Sequence, residues 1–180
     1  MTGSSDSRLR ASATPDGIDP RRHIRAGRVA TPLAFAILGG LLAAGLIGLF
    51  GGDAPTVSSA GFGPANLSVR VPATLRNGEF FEMEVVIDSR AAIDDATVAF
   101  DRPLWRNITI NTVMPAAVEE SFEGGGYRMA YGPLDPGDRL VIKLDGQINP
   151  PMFKGTEGRV RLFDGDRPIG HVPIRIKVMP

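Results

Sequence analysis

The sequence predicts an all-β protein: an antiparallel sandwich of seven or eight strands, preceded by one transmembrane helix and a basic, disordered N-terminal arm. Three observations predict this. A long apolar run without a single charge lies between Arg28 and Asp53. From Phe62 onward the apolar residues recur at every second position, the period of strands with one buried face. Turn-forming residues punctuate these runs at intervals suited to a sandwich. The chain of 180 residues has room for one ordinary domain and an extension. The expected divisions are an arm over 1–31, a span over 32–52, a linker over 53–65 and a sandwich over 66–180.

The arm is rich in Ser, Thr, Asp, Gly and Pro and poor in apolar residues, a composition that cannot bury enough surface to fold. It carries six arginines and three aspartates, a net +3, which the rest of the chain balances with fourteen basic and seventeen acidic residues. A basic head on a faintly acidic body argues against a nucleic-acid module, which needs its basic patch on the folded part. Cysteine is absent, so disulfides and thiolate metal sites are excluded.

Within the charge-free gap, Leu33 to Phe50 is an unbroken run of Leu, Ala, Ile, Gly and Phe. With its flanks it reaches the roughly 20 residues that cross a hydrocarbon core. A buried helix of a soluble domain would keep one polar face, and this segment has none. Pro32 suits the first helical turn, and Gly51, Gly52 and Pro55 suit its end. Arg21, Arg22, Arg25 and Arg28 all precede the span, so the positive-inside rule places the N-terminus in the cytoplasm and Asp53 onward outside. Arginine-rich, glycine- and alanine-rich usage hints at a bacterium, and the expected location is the bacterial inner membrane with a periplasmic or extracellular domain. A cleaved signal is the rival reading. Ser58-Ser59-Ala60 offers small residues to a signal peptidase, and Arg21-Arg22-His23-Ile24-Arg25 resembles a twin-arginine export signal. Against cleavage, the run is long and Ala60 lies well beyond its end.

Ala36, Gly40, Ala44, Gly48 and Gly52 recur every fourth residue, a ladder of small side chains that would let a second helix approach closely. The partner is either a second copy or another membrane protein. The alternative is composition alone, since Gly39 and Gly45 fall off the ladder.

The strands follow in order: Leu67, Val69 and Val71; Phe81, Met83, Val85 and Ile87; Ala96, Val98 and Phe100; Ile108 and Ile110; Tyr127, Met129 and Tyr131; Leu140, Ile142 and Leu144; Val160 and Leu162; Ile174, Ile176 and Val178. Asn77-Gly78, Gly124-Gly125-Gly126, Asp135-Pro136-Gly137-Asp138 and Asp164-Gly165-Asp166 separate them, and Asp-Gly between alternating runs is a strong hairpin signal. The count and spacing suit an immunoglobulin-like sandwich. Leu134-Asp135-Pro136-Gly137-Asp138, followed by alternating Leu140 to Leu144, resembles the leucine-x-proline-glycine turn that opens a late strand in bacterial immunoglobulin-like and fibronectin-type domains. The resemblance covers roughly Asn66 to Val178. It implies a sandwich used for adhesion, spacing or assembly, and fold alone does not choose among these.

Chemistry-bearing residues are sparse. His171 is the only histidine of the domain, too few for a zinc site or an oriented catalytic base. Carboxylates cluster at Asp94-Asp95, at Asp135 and Asp138, and at Asp164 and Asp166. Calcium favours converging carboxylates, yet Asp and Gly are also ordinary turn residues. No P-loop, dinucleotide fingerprint or nucleophile elbow occurs. Glu119-Glu120-Ser121-Phe122-Glu123 reads as a solvated edge strand, where charge blocks unwanted pairing, or as an acidic contact patch. Trp105, Phe122 and Phe153 are either core or contact residues. The expectation is a non-enzymatic accessory or assembly protein without cofactors or metals, its partners the lipid bilayer and a membrane protein or a second copy. The alternative is an anchored or exported module that binds glycan, cell wall or protein.

Overall fold

A computed structural model describes residues 30–49, 54–150, 152 and 154–179. Two compact units result, one ending at Ile47 and the other running from Gly48. The first contains helix α1, Ala30–Leu46, followed by a turn over residues 47–49. At 1.5 Å per residue its 17 residues extend about 26 Å, short of the expected span over 32–52. The helix closes where Gly48 takes φ 77°, a left-handed conformation that glycine adopts without a Cβ penalty. Among the described residues no helix is long and apolar enough to cross a membrane.

The second unit is a β-sandwich of two sheets around one apolar core. One sheet has five strands in the order β1-β2-β4-β9-β6: β1 Thr56–Gly61, β2 Ala65–Val71, β4 Phe80–Ser89, β9 Arg139–Ile148 and β6 Ile108–Met114. The other has six, in the order β3-β11-β10-β5-β8-β7: β3 Thr74–Arg76, β11 Arg167–Met179, β10 Thr156–Asp164, β5 Ala96–Asp101, β8 Gly126–Ala130 and β7 Glu119–Glu123. All pairings are antiparallel except β3 with β11. A 3₁₀ turn over Arg102–Trp105 bridges β5 to β6.

The alternation read from the sequence is the alternation of burial. Leu67, Val69, Val85, Ile87, Phe100, Ile142 and Leu162 point inward and are buried, while Lys143 points outward. The Asp135-Pro136-Gly137-Asp138 turn also forms as its residues require. The Asp138 N–H donates to the Asp135 carbonyl at 3.0 Å and Gly137 has φ 95°, which is a type II turn with proline at its first corner.

The strand count departs from expectation, with eleven in place of seven or eight. Residues expected as linker form β1, which pairs with β2 from Thr56↔Val71 to Gly61↔Asn66. Its residues are small and mostly exposed, so no apolar alternation marked it. β3 and β7 are likewise short edge strands, held by backbone pairing more than by a buried face.

Candidate functional site

On α1, three of the five small residues of the expected ladder fall within the helix. Ala36, Gly40 and Ala44 lie within the helix, four residues apart and therefore on one face. A Cβ built on Gly40 meets nothing within 4 Å, so that face has room for a neighbouring backbone. Gly48 does not continue the ladder, because the helix has already ended and the residue is left-handed. Gly52 and the topology arginines Arg21, Arg22, Arg25 and Arg28 lie outside the described residues. The remaining surface of α1 is apolar all round: Leu33, Phe35, Ile37, Leu38, Leu41, Leu42 and Leu46 are all exposed.

In the sandwich, the carboxylate clusters serve as turn fasteners. Asp164 accepts from the N–H groups of Asp94 and Asp95 at 2.9 and 3.1 Å and pairs with Arg167 at 3.1 Å. Asp95 accepts from the Gly132 N–H at 3.2 Å, and Asp138 accepts from the Asp135 N–H at 2.9 Å. Two clusters that are seventy residues apart in sequence therefore meet, but as acceptors of backbone N–H groups. Among the described residues no group of three or more His, Asp or Glu is placed to hold a metal ion.

The same end of the six-stranded sheet carries an open polar depression of roughly 290 Å³, lined in part by Asp95, Glu119, Glu123, Arg128 and Asp166. Arg128 is tied down within this lining. Its Nη2 donates to the Gly165 carbonyl at 2.7 Å and to Asp166 at 3.1 Å, and its guanidinium stacks 4.7 Å from the Phe163 ring centroid. A cation over an aromatic face is attracted by the ring quadrupole. Arg128 is thus held by groups of its own chain.

No local pattern in the sequence marks the role of Asp101. Asp101 at the end of β5 is buried. Its Oδ2 accepts from the N–H and the Nε of Arg159 at 3.2 and 3.0 Å, and its other oxygen pairs with Arg161. All six residues of β5 are buried, although three of them point away from the core. Only the tertiary pairing of β5 with β10 brings these charges together. His171 is exposed on the outer face, opposite Arg161.

The acidic segment is the edge strand β7. Phe122 is exposed, whereas Trp105 packs on Phe100 with ring centroids 4.8 Å apart; Phe153 lies outside the described residues. Register places Glu120 opposite Met129 and Phe122 opposite Tyr127. The Tyr127 hydroxyl donates to Glu120. That hydrogen bond, with burial and the Glu120 charge adding, pushes the Tyr127 pKa up to about 12. Tyr131 is raised to about 12 mainly by burial, with the Glu120 and Tyr127 charges adding.

No protein-family model and no curated protein matches the chain. Among solved structures it is similar to a FixG-related protein from Vibrio parahaemolyticus at 11% identity and TM-score 0.38, covering 64% of this chain and 97% of that one. A non-cellulosomal cohesin from Archaeoglobus fulgidus aligns at 10% identity and TM-score 0.39, over 71% and 93% of the two chains. The CARDB domain of the PF1109 protein from Pyrococcus furiosus, a structure with di-metal ions, aligns at 13% and 0.38, over 67% and 100%. These likenesses assign neither activity nor partner to this chain.

Proposed function

We propose that the chain is a non-enzymatic accessory or assembly protein of a membrane, with its apolar segment in the bilayer and its sandwich on the far side from the N-terminal arm. The observation that carries this reading is the surface of α1. A helix bathed in water keeps a polar face, and here large apolar side chains are exposed all round the helix, a surface suited to lipid. The flanking residues would complete the crossing. The arginines Arg21, Arg22, Arg25 and Arg28 would hold the arm in the cytoplasm, which leaves the sandwich periplasmic or extracellular.

Within this reading Ala36, Gly40 and Ala44 dock a second helix. Association of helices in lipid depends on close packing, because lipid removes the hydrophobic drive. Gly40→Ile fills the face without lowering hydrophobicity, while Leu41→Ile is the matched control. The full chain in native membranes is expected to resist alkaline extraction in all three forms. Helix association in a membrane two-hybrid assay is expected to be lost only in Gly40→Ile. A wild-type chain that washes off at alkaline pH refutes the anchor. Normal association of Gly40→Ile refutes the packing face and leaves the anchor untouched.

A further inference from the structure

The two sheets of the sandwich do not end together. The six-stranded sheet extends past the five-stranded one at β7. Met129 on β8 points inward and is 0% exposed, a member of the core cluster between the sheets. Its neighbours on β7 point to the same side, since Glu120 faces Met129 and Phe122 faces Tyr127 across the ladder. Yet Phe122 remains 59% exposed, and Val118, two residues before Glu120, is 81% exposed. An apolar shelf of Val118 and Phe122, with Glu120 between them, therefore lies uncovered where a sixth strand of the opposite sheet would sit.

The edge next to that vacancy is β6, which pairs with β9 alone. Its sequence, Ile-Thr-Ile-Asn-Thr-Val-Met over Ile108–Met114, is β-prone and carries no charge. The other edges are less open. β3 is three residues long, β1 closely approaches β11, and β7 carries Glu119, Glu120 and Glu123. Charge and brevity are the usual guards of an edge. The guard on β6 is a register shift between Ile110 and Thr112, which limits any pairing to a short stretch.

We infer that this vacancy receives one extended strand of a partner protein, paired along β6 and lying over β7. Its inward residues at positions i, i+2 and i+4 would be apolar, cationic and apolar, matching Val118, Glu120 and Phe122. Strand addition supplies affinity through backbone hydrogen bonds and specificity through alternate side chains. The central cation follows from charge complementarity with Glu120, the one ionisable group of β7 on this face; Glu119 and Glu123 alternate to the other side, and the Tyr127 hydroxyl that donates to Glu120 leaves its negative charge in place. A second copy does not fit. β6 carries no charged residue and β7 no basic one, so a twin strand laid along β6 would bring no cation to Glu120. The inference deepens the assembly reading for the sandwich, but its test involves only β6 and β7. Failure of the helix-packing test leaves it standing, and the reverse holds too.

The test uses the full chain in detergent and a synthetic probe, the capped heptapeptide Thr-Val-Thr-Lys-Thr-Val-Thr. Amide hydrogen exchange is followed with and without the peptide. The expected result is at least tenfold slower exchange over Ile108–Met114. Replacing the central Lys of the peptide by Glu is expected to weaken binding at least tenfold, and Glu120→Gln is expected to remove most of that preference. Val118→Asp with Phe122→Asp, at two sites already exposed to water, is expected to abolish binding with the fold intact. Three results overturn the inference: no binding at millimolar peptide, equal binding of the Lys and Glu peptides, or protection appearing on β7 and not β6. Protection of β6 that rises with protein concentration and without peptide also overturns it, by naming a second copy as the occupant.

Discussion

Gly170 on β11 offers a prediction whose size follows from the packing. A Cβ built there would lie 2.2 Å from Cε1, 2.3 Å from Cδ1 and 2.4 Å from Cζ of Phe62, well inside van der Waals contact. In Gly170→Ala the ring has to leave. What is lost is the burial of a partly buried phenylalanine, about 100 Å² of apolar surface, which at about 25 cal/mol per Å² comes to about 2.5 kcal/mol. That figure is a ceiling, since the ring can settle part-way out. Gly170→Ala is therefore expected to cost about 1–2.5 kcal/mol and Phe62→Ala about 2.5 kcal/mol. In the double variant the new methyl group occupies the space the ring has vacated. The pair is then expected to cost about 2–2.5 kcal/mol, well below the sum of the single changes, as for residues in direct contact. Equilibrium urea unfolding of the full chain measures this. Trp105, the single tryptophan of the sequence, packs in the core against Phe100 and reports the unfolding. Additive costs, or a Gly170→Ala cost above that of Phe62→Ala, would refute the contact as the cause.

Two further predictions concern strand register and pH. Val85→Ala, Phe100→Ala or Ile142→Ala is expected to cost roughly 2–4 kcal/mol through lost burial and a cavity, while Lys143→Ala stays within about 0.5 kcal/mol. Equal costs in urea unfolding would mean a register shifted by one residue, which exchanges the two faces. Tyr127 and Tyr131 are raised from 10.0 to about 12, so the fold favours their neutral forms. That stabilisation is fully present below pH 10 and is lost as pH rises from 10 through 12. The urea midpoint of the wild-type chain is expected to fall across that window, and less so in a Tyr127→Phe, Tyr131→Phe variant. Identical pH profiles for the two would refute the raised pKa values of these tyrosines as the cause.

By itself the sequence determined the class of the protein and the register of its central strands. Period-two alternation at Phe81 to Ile87 or Leu140 to Leu144 is a local consequence of a sheet with one face on the core, and it needs no knowledge of the neighbours. The turn at Asp135 to Asp138 was legible for the same reason, because proline and glycine set their own dihedrals. The small-residue ladder was legible only as spacing; it ends early because the helix stops before Gly48, where backbone geometry and not composition decides. Tertiary structure alone decided what happens at the edges and between the sheets. β1 and β3 bury too little to leave a pattern in their residues, so only their backbone partners reveal them. Asp101 gains Arg159 and Arg161 because β5 pairs with β10, two strands nearly sixty residues apart along the chain. The exposure of Val118 and Phe122 follows from a mismatch of one strand between two sheets. Local propensity records which way a side chain points from its own strand, and only the count of strands opposite decides whether anything is there to cover it.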